Sequence, residues 1–182
     1  MTFLDKYLQN ARINQARKFV RKNDVVLDIG AADGVMFEKW RGWIQRGFGI
    51  DPRLKHEIKT ALYTLIPGYF PQVTPKELTF DVITMLAVIE HIPAAQQAML
   101  AENCYKLLNE KGRIIITVPS PPVDAILDVL LKLRLLHGMS IEEHYGYKPE
   151  QTTQIFPSKY FRLIHQSTFQ FGLNNLFVFE KI

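Results

Sequence analysis

The fold is decided by the stretch Val25-Val26-Leu27-Asp28-Ile29-Gly30-Ala31-Ala32-Asp33-Gly34, which is followed shortly by Gly49-Ile50-Asp51. In the first segment an apolar run ends in an acid and turns through two glycines. In the second, a shorter apolar run ends in another acid. This is the layout of a strand–loop–helix–strand unit that holds a nucleoside-like ligand at the carboxyl edge of a parallel sheet. The sequence therefore predicts an α/β fold with a site of this kind.

The spacing of the residues inside the loop limits which class of ligand it can bind. A dinucleotide site needs Gly-x-Gly-x-x-Gly, because the middle glycine lets a pyrophosphate approach the backbone. Here Ala32 replaces the middle glycine, and Gly34 falls one residue early. The Gly-Lys-Ser/Thr ending of a phosphate-binding loop is also missing, and Asp28 and Asp33 would repel a pyrophosphate. The loop thus disfavours a nicotinamide oxidoreductase and favours a cationic ligand without phosphate.

S-adenosylmethionine has these properties, since it carries an ammonium, a sulfonium and a carboxylate but no phosphate. Asp28, at the end of the first predicted strand, can attract the positive methionine end, directly or through water. Backbone N–H groups of the turn that follows can face the carboxylate. Asp51, at the tip of the second strand, is placed to accept hydrogen bonds from both ribose hydroxyls.

Helix-like and strand-like patterns alternate along the rest of the chain. The predicted helices span 2–22, 33–46, 94–109 and 123–137, and the predicted strands span 25–29, 48–51, 62–66, 81–86 and 113–118. Residues 168–181 form a predicted hairpin with turn residues at 172–175. The fold class is α/β, a doubly wound, mostly parallel, Rossmann-like sheet of seven strands that ends in a C-terminal antiparallel hairpin. We expect residues 1–182 to form one domain, with helix 2–22 as an N-terminal extension.

Four passages, in order, resemble the motifs of the class I S-adenosylmethionine-dependent methyltransferases, in their small-molecule branch. They are Leu27–Gly34, Gly49–Asp51, Phe80–Ile92 and Leu107–Pro119. Ala32 stands where the family commonly has glycine, and the third passage contains the Glu90-His91 pair. The resemblance implies S-adenosylmethionine as cofactor and S-adenosylhomocysteine as product. It implies cofactor contacts at Asp28, Gly30, Ala32, Asp33, Gly34, Asp51, Pro52, Leu86 and Glu90.

One region departs from the family pattern. Pro67–Gln72 lacks the acidic residue that often meets the adenine after the third strand, although Tyr69 or Phe70 can cover the ring face.

The acceptor site needs a different kind of residue. A hydroxyl acceptor must lose its proton, and a histidine suits that task. The candidate bases are His144, in a polar aromatic connection, and His91, whose other interpretation is a histidine with satisfied hydrogen bonds at the N-terminal cap of a helix. We therefore expect methyl transfer to a small-molecule acceptor, at oxygen.

The basic start of the chain leaves alternatives open. The net charge is +4, and six basic side chains precede Asn23 against Asp5 alone: Lys6, Arg12, Arg17, Lys18, Arg21 and Lys22. We interpret them as the solvated face of helix 2–22, so that nucleic acid is not the expected partner. The alternatives are an RNA or protein methyltransferase that uses this helix, and a non-catalytic cofactor-binding or interaction protein.

The remaining expectations concern cysteine and location. The single Cys104 excludes an internal disulfide and a multi-cysteine zinc site, so no metal is expected. The N-terminus lacks the basic start and apolar centre of a signal peptide, and no apolar stretch is long enough to span a bilayer. We expect a cytoplasmic monomer or homodimer that acts away from membranes.

Overall fold

The computed structural model describes residues 3–75, 77–120 and 147–182. Its strands are β1 (Val25–Ile29), β2 (Arg46–Asp51), β3 (Ile58–Lys59), β4 (Tyr63–Pro67), β5 (Phe80–Leu86), β6 (Leu108–Pro119), β7 (Phe161–Phe169) and β8 (Asn174–Lys181). Its helices are α1 (Phe3–Arg17), α2 (Val35–Lys39), α3 (Ala94–Leu107) and α4 (Gln151–Ile155), and a 3₁₀ turn at Ile89–His91 follows β5.

The strands form one sheet in the order β3-β4-β2-β1-β5-β6-β8-β7. The strands from β4 to β6 in this order are parallel, whereas β8 runs antiparallel to β6 and β7 antiparallel to β8. The predicted mostly parallel sheet with a C-terminal antiparallel hairpin is confirmed. The sheet has eight strands where seven were predicted, because the edge strand β3 is two exposed residues long and leaves no periodic signal.

Both faces of the central strands β1 and β5 are buried, as their continuous apolar runs require. One face packs against α1 and α2 through Ile13, Ala16 and Phe37. The other packs against α3 through Leu100 and Cys104. Cys104 is therefore a core residue, as its surroundings in the sequence indicated. None of the helices in the described ranges is long and apolar enough to cross a membrane.

Element boundaries differ from the predictions at several places. The second predicted helix, 33–46, ends at Lys39, and Gly42 follows with a φ of 75° that a continuing helix does not allow. In the hairpin, β7 extends to Phe169 and β8 begins at Asn174, so the turn occupies 170–173. The predicted helix 123–137 lies outside the described residues.

The register of the parallel strands places the two key acids at one edge. Asp28 pairs with Gly49 in the β1–β2 ladder, and Asp51 is the last residue of β2, opposite Pro67 of β4. Because all strand ends of a parallel array point the same way, the loop after β1, the end of β2 and the 3₁₀ turn after β5 meet at this carboxyl edge.

Candidate cofactor site

The loop after β1 is a tight turn that depends on its two glycines. Gly30 has a φ of 80°, and a Cβ atom there would lie 2.4 Å from Cγ2 of Val88. Gly34, with a φ of 73°, immediately precedes α2. Both positions thus need a residue without a side chain, for backbone conformation and, at Gly30, for space. The loop brings residues 30–34 across the carboxyl end of β1.

Ala32 joins this loop to the end of β2. Its φ is 46°, in the left-handed region that L-residues other than glycine rarely adopt. In this conformation the Ala32 N–H donates a hydrogen bond to Oδ2 of Asp51 at 2.9 Å. The alanine that departs from the family pattern therefore occupies a position where glycine would be unstrained.

Four further N–H groups of this loop and of the start of α2 donate within the protein. Gly30 and Ala31 both donate to the carbonyl of Ile50, at 2.8 and 3.2 Å, and Gly34 donates to the carbonyl of Ala31 at 2.9 Å. The Val35 N–H is bonded to the exposed Asp33 carboxylate at 3.2 Å. These bonds do not support the expectation that N–H groups of this turn face a ligand carboxylate, since each of these donors already has an acceptor.

Asp51 is the best-connected acid of the site. Its side chain is only 1% exposed. Oδ1 accepts from the backbone N–H of Arg53 at 2.8 Å and from its Nε at 3.1 Å, while Oδ2 accepts from Nη2 of Arg53 at 3.0 Å. Burial alone would raise the pKa of Asp51, but the hydrogen bonds from Arg53 and Ala32 outweigh it and the pKa is lowered. The carboxylate is thus ionised and held in place.

The pKa of Asp28 is raised, whereas that of Asp51 is lowered. It is 5% exposed, and it accepts a hydrogen bond at 2.6 Å from the hydroxyl of Thr84 on the neighbouring strand β5. Burial raises the pKa of Asp28 to about 7, a rise that the Thr84 bond opposes and the Asp51 charge increases. A positively charged ligand next to this carboxyl would favour its ionised form.

A small cavity of about 60 Å³ lies between this edge and α1. Four of the predicted cofactor residues line it: Asp28, Gly30, Ala32 and Leu86. The side of α1 supplies Gln9, Arg12 and Ile13, which we had not predicted as site residues. The apolar spacing of α1 could have indicated these residues. Ile13 and Ala16 pack the inner face of α1 onto the sheet, and this packing places Arg12 at the cavity.

Glu90 and His91 are neighbours in the chain but differ in solvent exposure. Glu90 is 2% exposed and interacts electrostatically with Arg12 and with Tyr147. Burial raises the pKa of the Tyr147 hydroxyl to about 12, and the Glu90 charge adds to that rise. His91 is exposed, and so are Pro52 and Asp33. None of these three exposed residues lines the cavity, and His144 lies outside the described residues.

Comparison with known families decides what kind of protein carries this site. The family model described as "Methyltransferase domain" matches residues 3–166. The chain belongs to this methyltransferase family. The match begins at Phe3, the first residue of α1. The predicted class I S-adenosylmethionine-dependent methyltransferase is thereby confirmed.

Solved methyltransferase structures share the fold at low sequence identity. The N-methyltransferase NodS from Bradyrhizobium japonicum WM9, in complex with S-adenosylhomocysteine, matches with a TM-score of 0.67 and 18% identity over 96% of this chain and 87% of that one. Magnesium protoporphyrin IX methyltransferase (ChlM) from Synechocystis PCC 6803, also with bound S-adenosylhomocysteine, matches with a TM-score of 0.65 and 14% identity over 100% and 89%. No curated protein matches the sequence.

Proposed function

We propose that this methyltransferase binds S-adenosylmethionine at the carboxyl edge of β1, β2 and β5 and transfers its methyl group to an oxygen of a small-molecule acceptor. The observation that carries the proposal is the α1-covered cavity at the carboxyl edge of the sheet, which Asp28 and Arg12 line. Asp28 lines it, and Asp51 adjoins it through the Ala32 hydrogen bond. We assign cofactor contacts to the loop residues Gly30, Ala32, Asp33 and Gly34 and to Pro52, Leu86 and Glu90 around these two acids.

The side chains present fit this cofactor. The ionised Asp51 ends β2, and its two oxygens match the two ribose hydroxyls. Each oxygen now accepts two hydrogen bonds, so the hydroxyls would replace those from the exposed Arg53 guanidinium. Asp28 offers a carboxyl group whose ionisation a nearby ammonium or sulfonium would favour. Gly30, Ala31 and Ala32 keep the loop side of the cavity free of long side chains. The donor set is thus suited to a cationic nucleoside.

Methyl transfer does not require a covalent intermediate with the protein. Bound S-adenosylmethionine supplies a methyl group that its positive sulfur makes reactive. The chain contributes orientation, and α1 limits the access of water through Ile13 and Arg12. A hydroxyl acceptor would lose its proton to a base, for which His91 and His144 remain the candidates.

The charge distribution favours a small acceptor over RNA. The acids Asp28, Asp33, Asp51 and Glu90 gather at the carboxyl edge and outnumber Arg12 and Arg53, which lie at the same edge. This excess of acidic side chains would repel a polyanion. Part of the basic N-terminal region lies elsewhere, because Lys18 and Lys22 precede the start of β1 and therefore lie at the amino edge of the sheet. Arg17 lies over the Trp43 ring, 3.7 Å from its centroid.

Calorimetric titration with S-adenosylmethionine tests the cofactor assignment. We expect one site per chain, and Asp51→Asn to weaken binding by roughly tenfold or more, because the amide cannot accept from both ribose hydroxyls. Glu57→Gln, at an exposed acid paired with Lys59, serves as the matched control and should bind like the wild type. Absence of binding to the wild-type protein would refute the proposed function.

The acceptor class needs a separate assay. Release of S-adenosylhomocysteine is measured with a panel of small hydroxyl, amine and carbon acceptors and with RNA. We expect turnover with hydroxyl compounds. Cofactor binding without turnover on any acceptor would support the non-catalytic alternative, and RNA methylation that falls steeply with salt would support the RNA alternative.

A further inference from the structure

We propose that a groove between α3 and α4 is a second binding site, and that it takes an uncharged, hydroxyl-rich ligand of the saccharide class. The groove has a volume of about 410 Å³ and is open to solvent. Sites for small molecules commonly have volumes of about 300–1,000 Å³. The residues that line the groove are different from those that line the cofactor cavity, so the two sites are separate.

The sequence of α3 leaves the groove unfilled. Ala94 and Ala101 lie about two turns apart on the side of α3 that borders the groove, and Gln97 lies between them. Gln154 and Ile155 of α4 line the groove as well. The alanine side chains are too short to fill the space, and unfilled space forgoes packing contacts that would stabilise the fold. Stability alone would favour larger apolar residues at these positions, whereas a binding site needs the space.

The carboxamide groups of three glutamines line the groove and have hydrogen-bonding capacity left. Gln97 donates through Nε2 to the carbonyl of Ile92 at 2.7 Å, which leaves its Oε1 as an acceptor. Gln151 accepts at Oε1 from the backbone N–H of Lys148 at 2.7 Å, which leaves its Nε2 as a donor. The exposed Gln154 offers both a donor and an acceptor. Because each hydroxyl of a ligand both donates and accepts, this mixed set matches a polyol.

The charged side chains at the groove favour an uncharged ligand. Two of the lining residues are charged and of opposite sign, Glu102 and Lys159. Glu102 also pairs with Nζ of Lys106 at 2.7 Å, and Nζ of Lys159 lies 4.5 Å from the centroid of the Tyr160 ring. Because the charges of the walls largely cancel, neither a phosphorylated ligand nor a polyamine finds a compensating cluster of charge here.

Apolar groups lie among these polar side chains. The buried Ala101 and the half-buried Ile155 and Pro157 also line the groove. Tyr160 completes the wall, and its position is fixed by the Tyr105 ring, whose centroid is 4.8 Å away. A saccharide ring carries hydroxyls around its edge and C–H groups on its faces, so it needs both polar and apolar surface. The mixed lining of the groove provides both.

An NMR titration of the isotope-labelled full chain with maltotetraose and cellotetraose tests the site. We expect the side-chain amide signals of Gln151 and Gln154 to shift with a dissociation constant of about 1 mM, because a few solvent-exposed hydrogen bonds give weak binding. Gln154→Ala should weaken binding roughly threefold to tenfold. Gln166→Ala is the matched control, since Gln166 is an exposed glutamine of β7 outside the groove.

A pair of alanine variants tests whether the ligand occupies the groove itself. Ala94→Leu places a larger side chain in the groove and should weaken saccharide binding by roughly tenfold or more, because the two cannot share the space. Ala95→Leu is the matched control, since Ala95 is an exposed neighbour in α3 that does not line the groove. Leucine suits a helix at both positions.

Two results would overturn the site: glutamine signals that stay unchanged at saccharide concentrations about tenfold above the expected dissociation constant, or equal effects of Ala94→Leu and Ala95→Leu. Tighter binding of inorganic phosphate or of spermine than of either saccharide would overturn the ligand class. None of these measurements requires S-adenosylmethionine, so failure of the groove and failure of the proposed function are distinguishable.

Discussion

Replacing Asp28 by asparagine is expected to stabilise the cofactor-free protein, and more so as the pH rises. Asp28 is a buried carboxyl with a pKa of about 7 and a single hydroxyl donor, Thr84, at 2.6 Å. Asparagine has nearly the same shape and can still accept from Thr84, but it carries no charge to desolvate. The substitution therefore isolates the electrostatic cost of ionising this one group.

The magnitude and its sign follow from the two pKa values. An aspartate in the unfolded chain has a pKa of about 3.9, whereas burial raises that of folded Asp28 to about 7. Because the folded pKa is the higher one, the contribution of the protonated group is fully present below pH ~3.9 and is lost as the pH rises to about 7. At about 1.4 kcal/mol per unit, the loss is about 1.5 kcal/mol at pH 5 and about 4 kcal/mol at pH 8.

Urea denaturation at pH 5 and pH 8, followed by the fluorescence of Trp40 and Trp43, measures this effect. The stability gain of Asp28→Asn over the wild type is expected to be larger at pH 8 by about 2–3 kcal/mol. Glu57→Gln, at an exposed acid, is the control and should show no such difference. A gain that is equal at the two pH values would refute the conclusion that Asp28 is buried with a raised pKa.

Three further predictions concern the same edge of the sheet. Calorimetry should show S-adenosylmethionine binding that tightens by about tenfold between pH 6 and pH 8, because the cation binds the ionised form of Asp28, and this dependence should vanish in Asp28→Asn. Ala32→Gly should raise the free energy of unfolding by about 1 kcal/mol, since glycine adopts the φ of 46° without strain. An unchanged urea midpoint would show that the backbone of Ala32 is not strained. Gly30→Ala should destabilise the protein by several times the cost of Gly42→Ala in the same urea assay. Both glycines have a positive φ, but only at Gly30 would the new Cβ meet a neighbour, Val88 at 2.4 Å. Equal losses in the two glycine variants would show that the contact at Gly30 relaxes freely.

The parts of the site that lie on one strand–loop–helix–strand unit were predictable from sequence. A buried parallel strand is recognised in the sequence as a continuous apolar run, and the residues that follow the run lie at the carboxyl edge of the sheet. This rule placed Asp28, Gly30 and Asp51 at that edge. The short strand β3 and the early end of α2 were not predicted. A two-residue strand has no period, and the helix ends at Lys39 although the apolar spacing of the sequence continues beyond it.

The sequence by itself determined the fold class, the family and the two acids, since each depends on residues close together in the chain. Only the tertiary structure decided what surrounds those acids. It showed that the N–H groups of Gly30, Ala31, Ala32 and Gly34 already donate within the protein. It also showed that the charge of the buried Glu90 acts on Arg12 and that α1 covers the cavity. Arg12 meets Asn174 from 162 positions away in the chain. Such a contact depends on how the helix and the hairpin pack on the sheet, and side-chain packing over that separation leaves no periodic pattern in the sequence.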